Sequence, residues 1–61
     1  MIYAECNEER MRYMFYTLPE IKRILIDRYG VDAEICIYKS NGDIIAIKYS
    51  GERRFNNWGT L

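Results

Sequence analysis

The constraint that most narrows the fold of this chain is an Asn-Gly pair, Asn41-Gly42. It stands between two alternating β-branched segments, one around Ile35-Cys36-Ile37-Tyr38 and one around Ile44-Ile45-Ala46-Ile47. An Asn-Gly pair in that setting is the strongest short-range signal for a β-hairpin, because its backbone twist matches that of the flanking strands. Residues 33–49 are therefore expected to form a hairpin.

Side-chain chemistry then argues for a register. A two-residue Asn41-Gly42 loop pairs Tyr38 with Ile45 and Ile35 with Lys48, mixing charge and isoleucine on both faces. A three-residue loop, Ser40-Asn41-Gly42 with Gly42 left-handed, pairs Ile35 with Ile47 and Ile37 with Ile45, giving one all-isoleucine face. The other face then carries Glu34 opposite Lys48, Cys36 opposite Ala46 and Tyr38 opposite Ile44. A slip of one residue exchanges the faces, so the two registers imply different cores. The second is the expected one.

A helix is expected over 18–29. Thr17 with Glu20 three residues later spells a capping box, and Pro19 falls in the first turn, where its missing N–H costs nothing. Leu18, Ile21, Leu25 and Tyr29 form an apolar stripe with Ile24 at its edge. Glu20, Arg23 and Asp27 are spaced for ion pairs on the opposite face. Gly30 is expected to stop the helix in the left-handed conformation, with Val31 supplying a hydrophobic contact.

Residues 1–17 admit two readings. Met1 to Cys6 reads as a strand. Met11, Met14, Phe15 and Leu18 fit a helix capped by Asn7, whereas Arg10 and Arg12 alternating with Met11, Tyr13 and Phe15 fit a strand. The aromatic content, and the sheet area one helix needs to bury its stripe, favour a second hairpin turning at Asn7-Glu8-Glu9. The expected fold is a single α+β domain over 1–61 of order β-β-α-β-β, one helix on a mostly antiparallel sheet, with 52–61 as an aromatic and basic tail or edge strand.

Sixty-one residues bury only about 60 % of the unfolded chain's surface, so the core is thin. Yet 49 % of the residues are apolar and 15 % aromatic. Nine basic residues balance nine acidic ones. A neutral chain lacks the net basic surface on which duplex DNA binding and attraction to anionic membranes depend. The N-terminus shows no signal-peptide pattern, and no apolar run approaches the ~20 residues of a membrane span, so a cytoplasmic protein is expected. Cys6 and Cys36 are then reduced and serve as small hydrophobes in strands.

Chemistry has little to work with. The chain has no histidine, the usual general base near neutral pH. Ser40 and Ser50 have no recognisable base partner, and two cysteines alone make no zinc site. Gly30, Gly42, Gly51 and Gly59 are isolated, so no phosphate-binding loop exists. No enzymatic activity, metal or cofactor is expected.

What remains is aromatic and basic. In Arg53-Arg54-Phe55-Asn56-Asn57-Trp58, two arginines stand beside two aromatics. These residue types dominate protein–protein hot spots and also suit single-stranded nucleic acid. Alternatively, Phe55 and Trp58 close the open edge of the core. The leading expectation is a non-enzymatic binding protein that contacts another protein through Tyr38, Ile44, Arg53, Arg54, Phe55 and Trp58. By analogy of size and composition alone, it reads as a phage or mobile-element inhibitor of a host nucleic-acid-processing or defence enzyme. The second expectation is a single-strand binder or regulator, with Arg10, Arg12, Tyr13 and Tyr16 joining the tail residues. A homodimer across the apolar outer hairpin face is compatible with either.

Overall fold

The computed structural model describes residues 1–58; residues 59–61, where Gly59 and the end of the expected tail fall, lie outside the described residues. Strands β1 (Ile2–Cys6) and β2 (Glu9–Tyr13) precede helix α1 (Leu18–Tyr29), which is followed by β3 (Ile35–Lys39), β4 (Ile44–Lys48) and a two-residue strand β5 (Asn56–Asn57). The strands form one antiparallel sheet in the order β2-β1-β3-β4-β5. This is the α+β domain expected, with the start of the tail added as an edge strand.

The helix occupies the residues its sequence signals mark. Thr17 N–H donates to Glu20 Oε1 at 2.8 Å and Glu20 N–H donates to the Thr17 hydroxyl at 3.4 Å, completing the capping box. Because Glu20 turns back to the cap, it is not free for the outward ion-pair row. Among the described residues no ion pair within 4 Å joins Glu20, Arg23 and Asp27; the pair that forms is Arg28 with Glu9, at 4.0 Å. Gly30 ends the helix at φ 85°, ψ 174°. That is an extended conformation at positive φ, essentially restricted to glycine, rather than the left-handed helical one expected. In the turn that follows, the Val31 carbonyl faces the end of β4 and accepts the Lys48 ammonium and the Gly51 N–H.

The first hairpin is tighter than expected. Cys6 pairs with Glu9, leaving a two-residue turn of Asn7 and Glu8 at φ 53° and 66°. Two positive φ values in succession mark the type I′ geometry that suits the twist of a hairpin.

The second hairpin differs from expectation in register. Near the turn, Tyr38 pairs with Ile44, Lys39 N–H donates to the Asp43 carbonyl, and Gly42 sits at φ 94°. This is the three-residue loop. A bulge then adds one residue to β4, and beyond it Ile37 pairs with Ala46, Cys36 with Ile47 and Ile35 with Lys48. The expected all-isoleucine face is thereby undone. Ala46 and Lys48 turn to the helix side, while Ile47 joins Cys36, Tyr38 and Ile44 on the outer side. A bulge reverses alternation along one strand only, and the β5 edge makes use of it: the Ile45 carbonyl accepts the Trp58 N–H at 2.9 Å.

The core consists of Ala4 and Cys6 from β1, Ile35 and Ile37 from β3, Ala46 from β4, and Ile21 and Leu25 from α1. Leu18, Tyr29, Met11, Tyr13 and Phe55 pack around it. Lys48 is also fully buried, with a relative exposure of 0 %. Its ammonium donates to the carbonyls of Val31, Tyr49 and Glu52, so all three of its protons are used.

Candidate binding surfaces

Among the described residues, the helix covers one side of the sheet and nothing covers the other, the bare side. Alternation places Arg10 and Arg12 of β2, Tyr3 and Glu5 of β1, Cys36 and Tyr38 of β3, and Ile44 and Ile47 of β4 on that bare side. Tyr3 and Tyr38, opposite one another, have ring centroids 5.7 Å apart at 15°. The Arg10 guanidinium lies 4.7 Å from the first ring and 5.9 Å from the second, capping both. The Tyr38 hydroxyl donates to Glu5 Oε1 at 3.2 Å. Burial and this bond to a carboxylate raise the Tyr38 hydroxyl's pKa above its ordinary value. Burial, with the Glu5 charge, also raises that of the Cys36 thiol.

Both cysteines are free. Cys6 lies in the core, and burial raises its pKa as well, with Glu9 adding to the effect. A thiol held protonated is a poor nucleophile.

The expected site residues do not form one cluster. Tyr38 and Ile44 are cross-strand neighbours on the bare face. Arg10 and Arg12 share that face at the β2 edge. Arg53 and Arg54 are exposed in the loop before β5, at the opposite edge. Four strand spacings, roughly 19 Å, separate β2 from β5, so the four arginines do not converge. Tyr13 stacks edge-on against Tyr16 at 5.7 Å and packs on the helix side. Phe55 is half-buried against the core, with the Lys22 ammonium 5.9 Å from its ring, and Trp58 is 48 % exposed.

A further site belongs to the connection between β2 and α1. Phe15 is 99 % exposed and has φ 65°, a left-handed backbone that costs a non-glycine residue about 1–2 kcal/mol. Met14, Tyr16 and Met1 expose about half their surface beside it, and with Tyr13 and Ile2 they frame a shallow hollow. The chain must pass from Tyr13 to the Thr17 cap in three residues, which explains the left-handed backbone. It does not explain the phenyl ring, since glycine or asparagine would turn there at lower cost. The sequence held a signal for this. A strand pairing with Ile2–Cys6 through a tight turn runs out near residue 13, leaving Met14-Phe15-Tyr16 as connection.

No group of three or more histidine, cysteine or acidic side chains placed to hold a metal occurs among the described residues, and no helix among them is long and apolar enough to cross a membrane. No protein-family model matches the chain, and neither a curated protein nor a solved structure matches it.

Proposed function

We propose that this is a non-enzymatic binding protein that acts by contact with another protein, with Phe15 as an anchor. The observation that carries this reading is the strained, fully exposed phenyl ring. Backbone strain persists where function offsets it, and a large rigid side chain surrounded by other apolar groups is what hot spots are made of. The bare sheet face supports the same reading, because Tyr38, Ile44 and Ile47 give it an apolar character at odds with a solvated surface. Occlusion of a site on a larger enzyme, the inhibitor role expected from size and composition, is one form such contact takes.

Single-stranded nucleic acid is the second reading, favoured by Arg10 and Arg12 standing beside Tyr3 and Tyr38. It is weaker on two grounds. The Arg10 guanidinium covers the rings on which a base would stack, and Glu5 and Glu34 place negative charge where phosphates would run.

The test is capture from a lysate of the source cells with wild-type protein, Phe15→Gly and the pair Tyr38→Glu, Ile44→Asp. A protein retained in stoichiometric amount by the wild type and lost with Phe15→Gly is the expected result. Equal retention by both overturns the anchor. Retention that disappears on nuclease treatment, together with salt-sensitive binding of single-stranded oligonucleotides, would favour the second reading.

A further inference from the structure

At the end of the sheet opposite Phe15, a groove of about 280 Å³ crosses the bare face between the β1–β2 turn and the start of β3. Its apolar lining comes from Cys36, Ile47 and Tyr49, and its rim carries Glu5, Glu8 and Glu34. The groove exists because Cys36 is the small residue in the middle of the face, with Tyr38 on one side and the larger Ile47 and Tyr49 on the other. The bulge in β4 supplies Ile47; in the unbulged register Ala46 would stand opposite Cys36 and the wall would be lower.

The charge of this groove is one-sided. Among the described residues none of the three rim carboxylates has a cation within 4 Å. Arg10, the cross-strand partner of Glu5, is engaged over the tyrosine rings instead. The Lys48 ammonium is committed to three carbonyls on the helix side. The lining stays neutral, since the Cys36 thiol is pushed above its ordinary 9.0 by burial and by Glu5.

An apolar trough rimmed by carboxylates that have no cation of their own matches a side chain with an aliphatic stem and a cationic head. We infer that the groove receives a lysine or arginine side chain of the protein partner. The stem lies along Cys36 and Ile47, the head turns toward Glu5, Glu8 and Glu34, and the exposed Tyr49 ring is within reach of the cation. This rests on the protein-binding reading above and adds a basic element to the partner's contact surface.

The test is an NMR titration of the whole chain with three acetylated tripeptide amides, holding arginine, norleucine or glutamate between two leucines. The arginine peptide is expected to give saturable shifts at Glu34, Cys36, Ile47 and Tyr49. Raised salt should weaken it, and the pair Glu8→Gln, Glu34→Gln should weaken it by roughly three- to fivefold, as for exposed ion pairs. No saturable shift with arginine, or shifts of equal size with norleucine or glutamate, overturns the inference. Because Phe15 lies at the other end of β2, a failed titration leaves the Phe15 capture result intact. A failed capture likewise leaves the titration intact.

Discussion

The buried ammonium of Lys48 donates to the carbonyl of Val31, seventeen positions earlier in the chain. That bond joins the end of β4 to the turn that follows the helix. Bonds to Tyr49 and Glu52 draw in the β4–β5 loop, and Gly51 N–H donates to the same Val31 carbonyl at 3.1 Å. Replacing Lys48 by methionine removes the cost of burying a cation but leaves the Glu52 carbonyl without its donor, while the Val31 and Tyr49 carbonyls keep the Gly51 and Glu52 amides. A stranded acceptor costs about 1–3 kcal/mol, more than one methionine's packing returns. Lys48→Met is therefore expected to lower stability by roughly 2 kcal/mol and to speed hydrogen exchange at Gly51. Unchanged melting and an equally protected Gly51 amide would show that the carbonyl cluster holds nothing together.

Glu8 occupies a position of the first hairpin turn, at φ 66°, where glycine is the favoured residue. Glu8→Gly relieves about 1–2 kcal/mol of left-handed strain and loses about 0.5–1 kcal/mol to the greater freedom of the unfolded chain. The net gain is roughly 0.5–1 kcal/mol, a rise of a few degrees in Tm for a domain of this size. Phe15→Gly should show the same gain, since Phe15 is fully exposed and gives up no packing. A fall in Tm on Phe15→Gly would mean that the ring supports the fold.

Glu20 titrates low because it accepts the Thr17 amide and hydroxyl at the helix start, with Arg23 adding a smaller pull. A carboxyl with a depressed folded value contributes stability above its ordinary 4.5, and that contribution is lost as pH falls through the folded value. Glu20→Gln keeps the reciprocal cap but removes the charge. Thermal unfolding followed between roughly pH 6 and 3 should therefore show a shallower acid-side decline for the variant. Parallel curves for the two proteins would contradict the assignment.

The tail divides between the core and the surface. Phe55 packs against the core while Trp58 is half-exposed. Phe55→Ala is expected to cost about 2 kcal/mol, less than a fully buried phenylalanine, and Trp58→Ala under 1 kcal/mol. Deletion of 52–61 also removes the Glu52 carbonyl from Lys48 and the β5 pairing, so it should cost much of the ~5 kcal/mol such a domain has. Trp58 emission should fall between buried and solvated values. A fully solvated spectrum with no loss on Phe55→Ala would detach the tail from the fold.

Local signals proved readable in the sequence where several agreed on one outcome. The helix had a cap, a stripe and a stop within fourteen residues, and its ends follow them. The Ser40-Asn41-Gly42 loop was readable because turn chemistry is local. The register past the bulge was not, because Ile44, Ile45 and Ile47 are interchangeable in hydropathy, and what decides between them lies elsewhere in the chain. Lys48 is acceptable in the core only because Val31 and Glu52 bring carbonyls to it, and nothing near Lys48 announces them. The bare-face pair Tyr38 and Ile44 was legible because it lies on the turn side of the bulge. Phe15 was obscured because an aromatic two positions after Tyr13 also continues a strand's alternation.

The bulge means that the second hairpin carries one residue more than its ladder needs. Two isoleucines stand together there, and shortening the chain by one of them would leave Tyr38 opposite Ile44, Ile37 opposite Ala46 and Ile35 opposite Lys48, as they are now. What would be lost is the carbonyl that Trp58 uses, one of the bonds of the outermost strand, whose Asn56 and Asn57 also pair with Ile47 and Ala46. The spare residue is thus a point where length can change without exchanging inside for outside, and the part of the molecule that registers the change is the edge beyond β4.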